Sequence, residues 1–232
     1  MSITKLYNFL RGRFRQEVVV LVLFILAVVG ILCFTTIADG VTDRATQSFD
    51  EWVLLSVRSG ADSSDPLTQP WLLSAAKCAS ALASAWVLLG VTVISAALLV
   101  AAKKHKAAWL LLITTTGGAA LSVVLKVIFD RPRPILVPHL EVVSSPSFPS
   151  AHAMLAAVLY LTLGVIAARF MPTLKGRITV LLIAVVLMLL IGASRVFLGV
   201  HYPTDVLAGW AIGAAWAILC WIVIHKFIST DR

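Results

Sequence analysis

Charge is what this chain has least of. Only 13% of its 232 residues are Asp, Glu, Lys or Arg, against 60% hydrophobic. A soluble domain of that length would need far more polar side chains to cover its surface. Acidic residues are the scarcer sign, 11 against 19 Lys and Arg, and they form no cluster of the kind a magnesium site wants. Cysteine is nearly missing too. Cys33, Cys78 and Cys220 share no paired spacing, which argues against a disulfide framework or a thiolate metal site. No internal repeat, low-complexity tract or polar linker sets off a soluble part, so residues 1–232 read as one integral-membrane domain.

What is present is a set of six apolar runs: Val18–Ala38, Ala79–Ala102, Ala107–Phe129, Ala153–Ala168, Ile178–Ala193 and Val206–Ile224. A span needs about 20 apolar residues. The fourth and fifth are short and reach that length only if flanking polar residues cap them at the interface. The expected fold is therefore all-α, a polytopic bundle of six transmembrane helices. The first run follows a basic stretch (Lys5, Arg11, Arg13, Arg15), but it is longer than the roughly 7–15 residues of a signal-peptide core and is expected to stay as a span. With the N-terminus inside, Lys103, Lys104, Lys106, Arg169, Lys175, Arg177, Lys226 and Arg232 join that stretch on one side. The positive-inside rule then places both termini in the cytoplasm. The formal charge of +8 expresses this topology and does not point to nucleic acid.

The longest stretch between runs, Asp39 to Lys77, falls outside. Phe49, Trp52, Val53, Leu55 and Val57 suit the apolar side of a short amphipathic helix at the interface, and Ser59–Pro66 reads as a loop. A packing helix at the bundle mouth is the simpler role, and a lid over a lipid passage the functional one. Trp71, Trp109, Trp210 and Trp221 read as interface anchors or packing residues.

Three polar clusters border the spans on that same external side, where ionisable groups are costly and so suggest function. In Lys126-Val-Ile-Phe-Asp-Arg131-Pro-Arg133-Pro134, the prolines end a helix and carry one ammonium and two guanidiniums to its mouth. Arginine can grip two phosphate oxygens at once, whereas lysine is a compact point charge. In Ser147-Phe-Pro-Ser150-Ala151-His152, Ser150 precedes an apolar helix whose free N–H groups suit an anion; the same serine would serve as an ordinary N-cap. In Ser194-Arg195 through His201-Tyr-Pro203-Thr-Asp205, Pro203 suits the first turn of a helix and Asp205 falls within that turn. Its carboxylate could accept the Nδ1 proton of His201, leaving Nε2 free for a substrate, or simply cap the helix.

Lys126-x6-Arg133-Pro134, Pro149-Ser150-x-His152 and Ser194-Arg195-x5-His201-x3-Asp205 resemble, in order and spacing, the three-part signature of the type 2 phosphatidic acid phosphatase family. Spacing gives the first arginine role to Arg133 and leaves Arg131 and Ser194 as additional candidates. Ala151 stands where the family commonly has glycine, and its N–H remains available. The resemblance implies a metal-independent phosphatase without a cofactor. His201 would be the nucleophile, Asp205 its orienting group and His152 the acid and base. Lys126, Arg133, Ser150, the Ala151 N–H and Arg195 would bind phosphate. The compact chain resembles bacterial members, which implies a cytoplasmic-membrane enzyme facing the periplasm or exterior. Its partner would be a lipid phosphate in the bilayer, undecaprenyl pyrophosphate or phosphatidylglycerophosphate first, with phosphatidic acid and lipid A phosphates behind. A lipid phosphotransferase would use the same residues. A non-enzymatic membrane protein would not need every one of these positions filled.

Overall fold

A computed structural model describes residues 3–57 and 70–228, with side chains for 17–57 and 70–224. The expected Ser59–Pro66 loop and the outermost basic residues lie outside the described residues or side chains. Among the described residues eight helices follow one another: α1 (Ile3–Thr42), α2 (Gln47–Ser56), α3 (Pro70–Ala81), α4 (Ala85–Ala101), α5 (His105–Phe129), α6 (Ala151–Ala168), α7 (Leu174–Phe197) and α8 (Pro203–Ile228). Five are long and apolar enough to cross a membrane. The pair α3 and α4, bent by 52°, makes a sixth if counted as one span. Leu21, Trp86, Leu98, Val123, Val127 and Leu182 are among the many large apolar side chains left bare on the outside of the bundle. In water such a continuous surface would be an aggregation site; in a bilayer it is the solvated surface.

The second expected span is the one that differs most. Instead of a single run from Ala79 to Ala102, the chain breaks at Leu82–Ser84. No glycine or proline marks the break. It is stabilised from elsewhere in the bundle: the Tyr160 hydroxyl on α6 donates to the Leu82 carbonyl at 2.8 Å. A carbonyl that the break takes out of helical pairing thus has a partner inside the apolar layer. The fifth span is not short either, because α7 has 24 residues and carries Arg195 in its last turn.

α6 is the central helix, with half of its apolar window buried, and it packs against α5, α7 and α8. Small residues allow this. A Cβ on Gly213 would come within 2.5 Å of the Met154 carbonyl, and one on Gly209 within 2.8 Å of the Ser150 carbonyl. The Gly209-x3-Gly213 pair is therefore the contact stripe that lets α8 lie against the start of α6. The backbone N–H of Ser150 donates to the Asp205 carbonyl at 3.0 Å, so the first turns of two spans meet at one end of the bundle.

Between α5 and α6 the chain folds back over that end. α5 stops at Asp130, which adopts a left-handed conformation (φ 38°) with its N–H on the Lys126 carbonyl. Aspartate tolerates this geometry better than most residues, and Pro132 follows it as a stop. Phe148, fully buried, packs between Phe129 and Phe34 with ring centroids 4.9 and 5.8 Å away. It pins the return of the chain just before the cis Phe148–Pro149 peptide.

α2 forms where an amphipathic interfacial helix was expected, and Phe49, Trp52 and Leu55 of its apolar side turn outward where a helix packed over the bundle mouth would bury them. Asp50 and Leu54 are buried, while Phe49, Trp52 and Leu55 are 47%, 68% and 46% exposed. The reason is an ion pair described below, which outbids the apolar stripe for the inward side. The bare aromatic side then suits the lipid interface.

Candidate active site

Four segments converge at the α6 and α8 starts: the ends of α5 and α7, and the loops before α6 and α8. His201 lies between the last two spans and is 1% exposed. Its Nδ1 is 3.3 Å from Asp205 Oδ2, and its Nε2 is 3.3 Å from an Arg133 guanidinium nitrogen. A guanidinium can only donate. Nε2 must then carry the lone pair, and the ring proton sits on Nδ1 toward the carboxylate. Burial above all, with Arg133 and Arg195 nearby, overcomes the pull of Asp205 and holds the imidazole near a pKa of about 4. At neutral pH the ring is uncharged and its outward nitrogen is nucleophilic.

Asp205 is fully buried and both of its carboxylate oxygens accept hydrogen bonds. Oδ2 accepts from the Ser147 hydroxyl and from the Tyr202 N–H at 2.9 Å, while Oδ1 accepts from Arg131 at 2.6 Å. Arg131 in turn reaches Asp50 on α2 at 2.8 Å and lies 4.2 Å over the Tyr202 ring. Asp50 is fully buried as well, and it also accepts from the Thr204 hydroxyl (2.6 Å) and N–H (3.0 Å). A hydrogen-bonded chain runs Asp50–Arg131–Asp205–His201. Arg131 thus stands behind the carboxylate, and Arg133 stands in front of the imidazole.

The remaining cations gather with His201 around His152. Arg133 is half-buried. It donates to the carbonyls of Ser145 (2.8 Å) and Val200 (2.6 Å), which aims its edge at His201. Burial and Arg195 lower its pKa to about 10, and it remains charged at neutral pH. Lys126, buried in the last turn of α5, gives one of its three protons to the Pro146 carbonyl. Arg195, 1% exposed, is held at 2.5 Å by both Glu141 and the Ser80 hydroxyl at the α3 break. Its buried Nε–H has no hydrogen-bond partner among the described residues, which leaves one donor of this guanidinium unsatisfied. Ser150 caps α6 by accepting from the Ala153 N–H at 3.4 Å; Ala151 opens that helix. Ser194, in contrast, turns back to the Ile191 carbonyl of its own helix at 2.6 Å. It is not directed to the cluster.

His152 on the first turn of α6 is partly buried and makes no hydrogen bond with the described residues. Lys126, Arg133, Arg195 and His201 are all near enough to act on it electrostatically. A cradle of three cations, a helix N-terminus, one oriented imidazole and one unengaged imidazole can bind a phosphate, attack it and exchange protons with its oxygens. Among the described residues no three His, Cys, Asp or Glu side chains converge. Sequence patterning missed Asp50, Glu141 and Ser80, and it assigned Ser147 no role. Asp50 lay hidden in an apolar helix (Phe49-Asp50-Glu51-Trp52), and an acid there with no nearby basic residue was the one available signal.

Comparison with known proteins gives the same reading. Residues 107–229 match the PAP2 superfamily. Phosphatidylglycerophosphatase B of Bacillus subtilis is 34% identical over 183 residues, 78% of this chain and 86% of that protein. Decaprenylphosphoryl-5-phosphoribose phosphatase of Mycobacterium tuberculosis is 38% identical over 98 residues, 41% of this chain and 49% of that protein. The crystal structure of a transmembrane PAP2-type phosphatidylglycerolphosphate phosphatase from Bacillus subtilis superposes with a TM-score of 0.77 at 32% identity, covering 89% of this chain and 97% of that one. The chain belongs to the PAP2 superfamily and is a membrane lipid phosphatase.

Proposed function

We propose that the protein hydrolyses phosphatidylglycerophosphate at the outer face of a bacterial cytoplasmic membrane, through a phosphohistidine on His201 and without a metal ion. The observation that carries this is the His201 ring, neutral, buried and locked by Asp205 with its lone pair facing the Arg133 guanidinium. In the first step Nε2 attacks phosphorus and the bond to the lipid oxygen breaks, that oxygen taking a proton from His152. In the second, His152 takes a proton from water, the water oxygen attacks phosphorus, and the P–N bond breaks to free phosphate. Arg133 would exchange its contact with Nε2 for a phosphate oxygen. Lys126, Arg195, Ser150 and the Ala151 N–H would hold the others as charge builds on them. The whole chain, 1–232, acts here as one unit, since α2 and α3 supply Asp50 and Ser80 to the site.

Similarity to the Bacillus subtilis protein favours phosphatidylglycerophosphate as substrate. The mycobacterial relative, named for a decaprenyl lipid, keeps undecaprenyl pyrophosphate as a second reading. Orientation follows from the charges: Lys103, Lys104, Lys106, Arg169, Lys175 and Arg177 lie at the end of the bundle away from His201, which the positive-inside rule makes cytoplasmic together with both termini. Phosphate release from a panel of these lipids by purified protein in EDTA tests the whole reading. The expected result is rapid, chelator-resistant release from phosphatidylglycerophosphate. Loss of activity on chelation, or equal rates on soluble phosphomonoesters, would overturn it.

A further inference from the structure

The opposite end of the bundle carries a cleft that the catalytic reading leaves without a use. A hollow of about 590 Å³ opens between the start of α5, the end of α6 and the end of α8. Lys103, Lys104 and Lys106 form one rim and Arg169 the other. It shares Val165, Arg169 and Trp221 with an adjoining groove that adds Arg177. It also shares Leu110, Val165 and Trp221 with an apolar channel leading away between α1, α6 and α8 past Leu161 and Ala214. Five cations thus border one end of a continuous cleft whose other end is apolar. Among the described residues no carboxylate lines any of its three parts; Glu17, the acid at this end of α1, is exposed and stands outside them.

Two details show that the basic end is a formed feature. The α4 helix ends in a turn where the Lys104 N–H reaches the Leu99 carbonyl (2.7 Å) and the Lys103 N–H the Val100 carbonyl (2.8 Å). Lys103 sits there in the left-handed region (φ 57°), a position that glycine fills at less cost. A lysine is held where the backbone would prefer no side chain. Where the cations meet the apolar channel, the Arg169 guanidinium lies 5.6 Å over the Trp221 ring. That is the arrangement of a membrane-interface anchor, with a polar tip above an apolar body. The channel runs from Trp221 to Ala214, about 10 Å along α8, enough for the upper part of an acyl chain. The cleft lies about 29 Å along α5 from Lys126, counted from Ala107, so it is separate from the phosphate cradle.

We propose that this cleft binds one anionic phospholipid, its phosphate among Lys103, Lys104, Lys106 and Arg169 and one acyl chain in the Leu161–Ala214 channel. The lipid is a resident of the leaflet opposite the candidate active site and is not a substrate, because a phosphodiester such as phosphatidylglycerol presents no monoester to hydrolyse.

The full-length protein in zwitterionic phosphatidylcholine vesicles provides the test, with lipids brominated on an acyl chain as contact quenchers of tryptophan. Brominated phosphatidylglycerol is expected to quench more than brominated phosphatidylcholine at equal content, and Trp221→Phe removes that excess. K103G/K104Q/K106Q also removes it, each neutralised lysine weakening the preference roughly five-fold. K103G relieves the left-handed strain, so the variant is built to fold. Unchanged lipid-phosphate turnover in pure phosphatidylcholine verifies this. Equal quenching by the two brominated lipids in the parent protein overturns the proposal. So does an excess that survives in K103G/K104Q/K106Q with turnover intact.

Discussion

The two ends of α5 treat charge in opposite ways. At the Lys126 end the charges around His201 are largely buried and tied: Asp205 to Arg131, Ser147 and Tyr202, Asp50 to Arg131 and Thr204, Arg195 to Glu141 and Ser80. At the Lys104 end the lysines are exposed, and no carboxylate among the described residues lines the cleft beside them. Buried charges need such partners because desolvation would otherwise neutralise them. The lesson is that a preorganised network can stabilise a transition state without moving, whereas an exposed cluster of one sign can attract an anion but cannot hold a reacting atom in place.

The sharpest way to break this contrast is at the nucleophile. His201→Ala is expected to lower phosphate release by at least about 10³-fold while leaving the bundle folded; a variant with substantial residual turnover would remove His201 from the centre of the mechanism. Asp50→Asn comes next. It takes one of two carboxylates from a buried arginine, and thermal unfolding in detergent should show a loss of about 3 kcal/mol. Turnover should fall too, since Arg131 then holds Asp205 less firmly. Gly213→Ala tests the frame that brings α8 to α6. Its new Cβ must push away from the Met154 backbone, at a cost of about 1–3 kcal/mol, visible in the same unfolding measurement.

A further effect is expected from pH. His201 titrates near 4 when folded against an ordinary value of 6.5, so the unfolded chain binds the proton first. The stabilisation is complete above 6.5 and is lost as pH falls through 6.5 toward 4. Unfolding measured across that window should flatten in His201→Asn, which has no proton to gain. The least effect is expected at the other end. K103G/K104Q/K106Q should leave turnover in zwitterionic vesicles within about two-fold, since its charges lie beyond a Debye length of the site; a large loss there would mean that the two ends are coupled.

Much of the site was legible because phosphate chemistry restricts residue types strongly. An ammonium, guanidiniums, two imidazoles and a carboxylate at membrane borders have few other uses, and their spacing from helix starts is readable directly. The choice of Arg133 over Arg131 followed from spacing, and the structure adds what the pair does: one faces the imidazole and the other braces the carboxylate behind it. What could not be read were contacts between distant segments. Glu141 meets Arg195 across 54 positions and Asp50 meets Arg131 across 81. In neither case does local periodicity mark the pairing. The α3–α4 break was equally silent, because the group that satisfies its carbonyl, Tyr160, belongs to another span.

Composition and apolar run length alone determined that this chain is an all-helical membrane protein, since only helices or closed barrels satisfy their backbone in lipid and these runs have helical length. The order of its basic residues and histidines determined the kind of chemistry. Which carboxylate braces which cation, which side of α2 turns inward and where the second span breaks were decided by tertiary structure. Each depends on a buried polar group finding a partner in three dimensions. Such a group pays its desolvation cost wherever the partner lies in the chain, and sequence distance carries no trace of it.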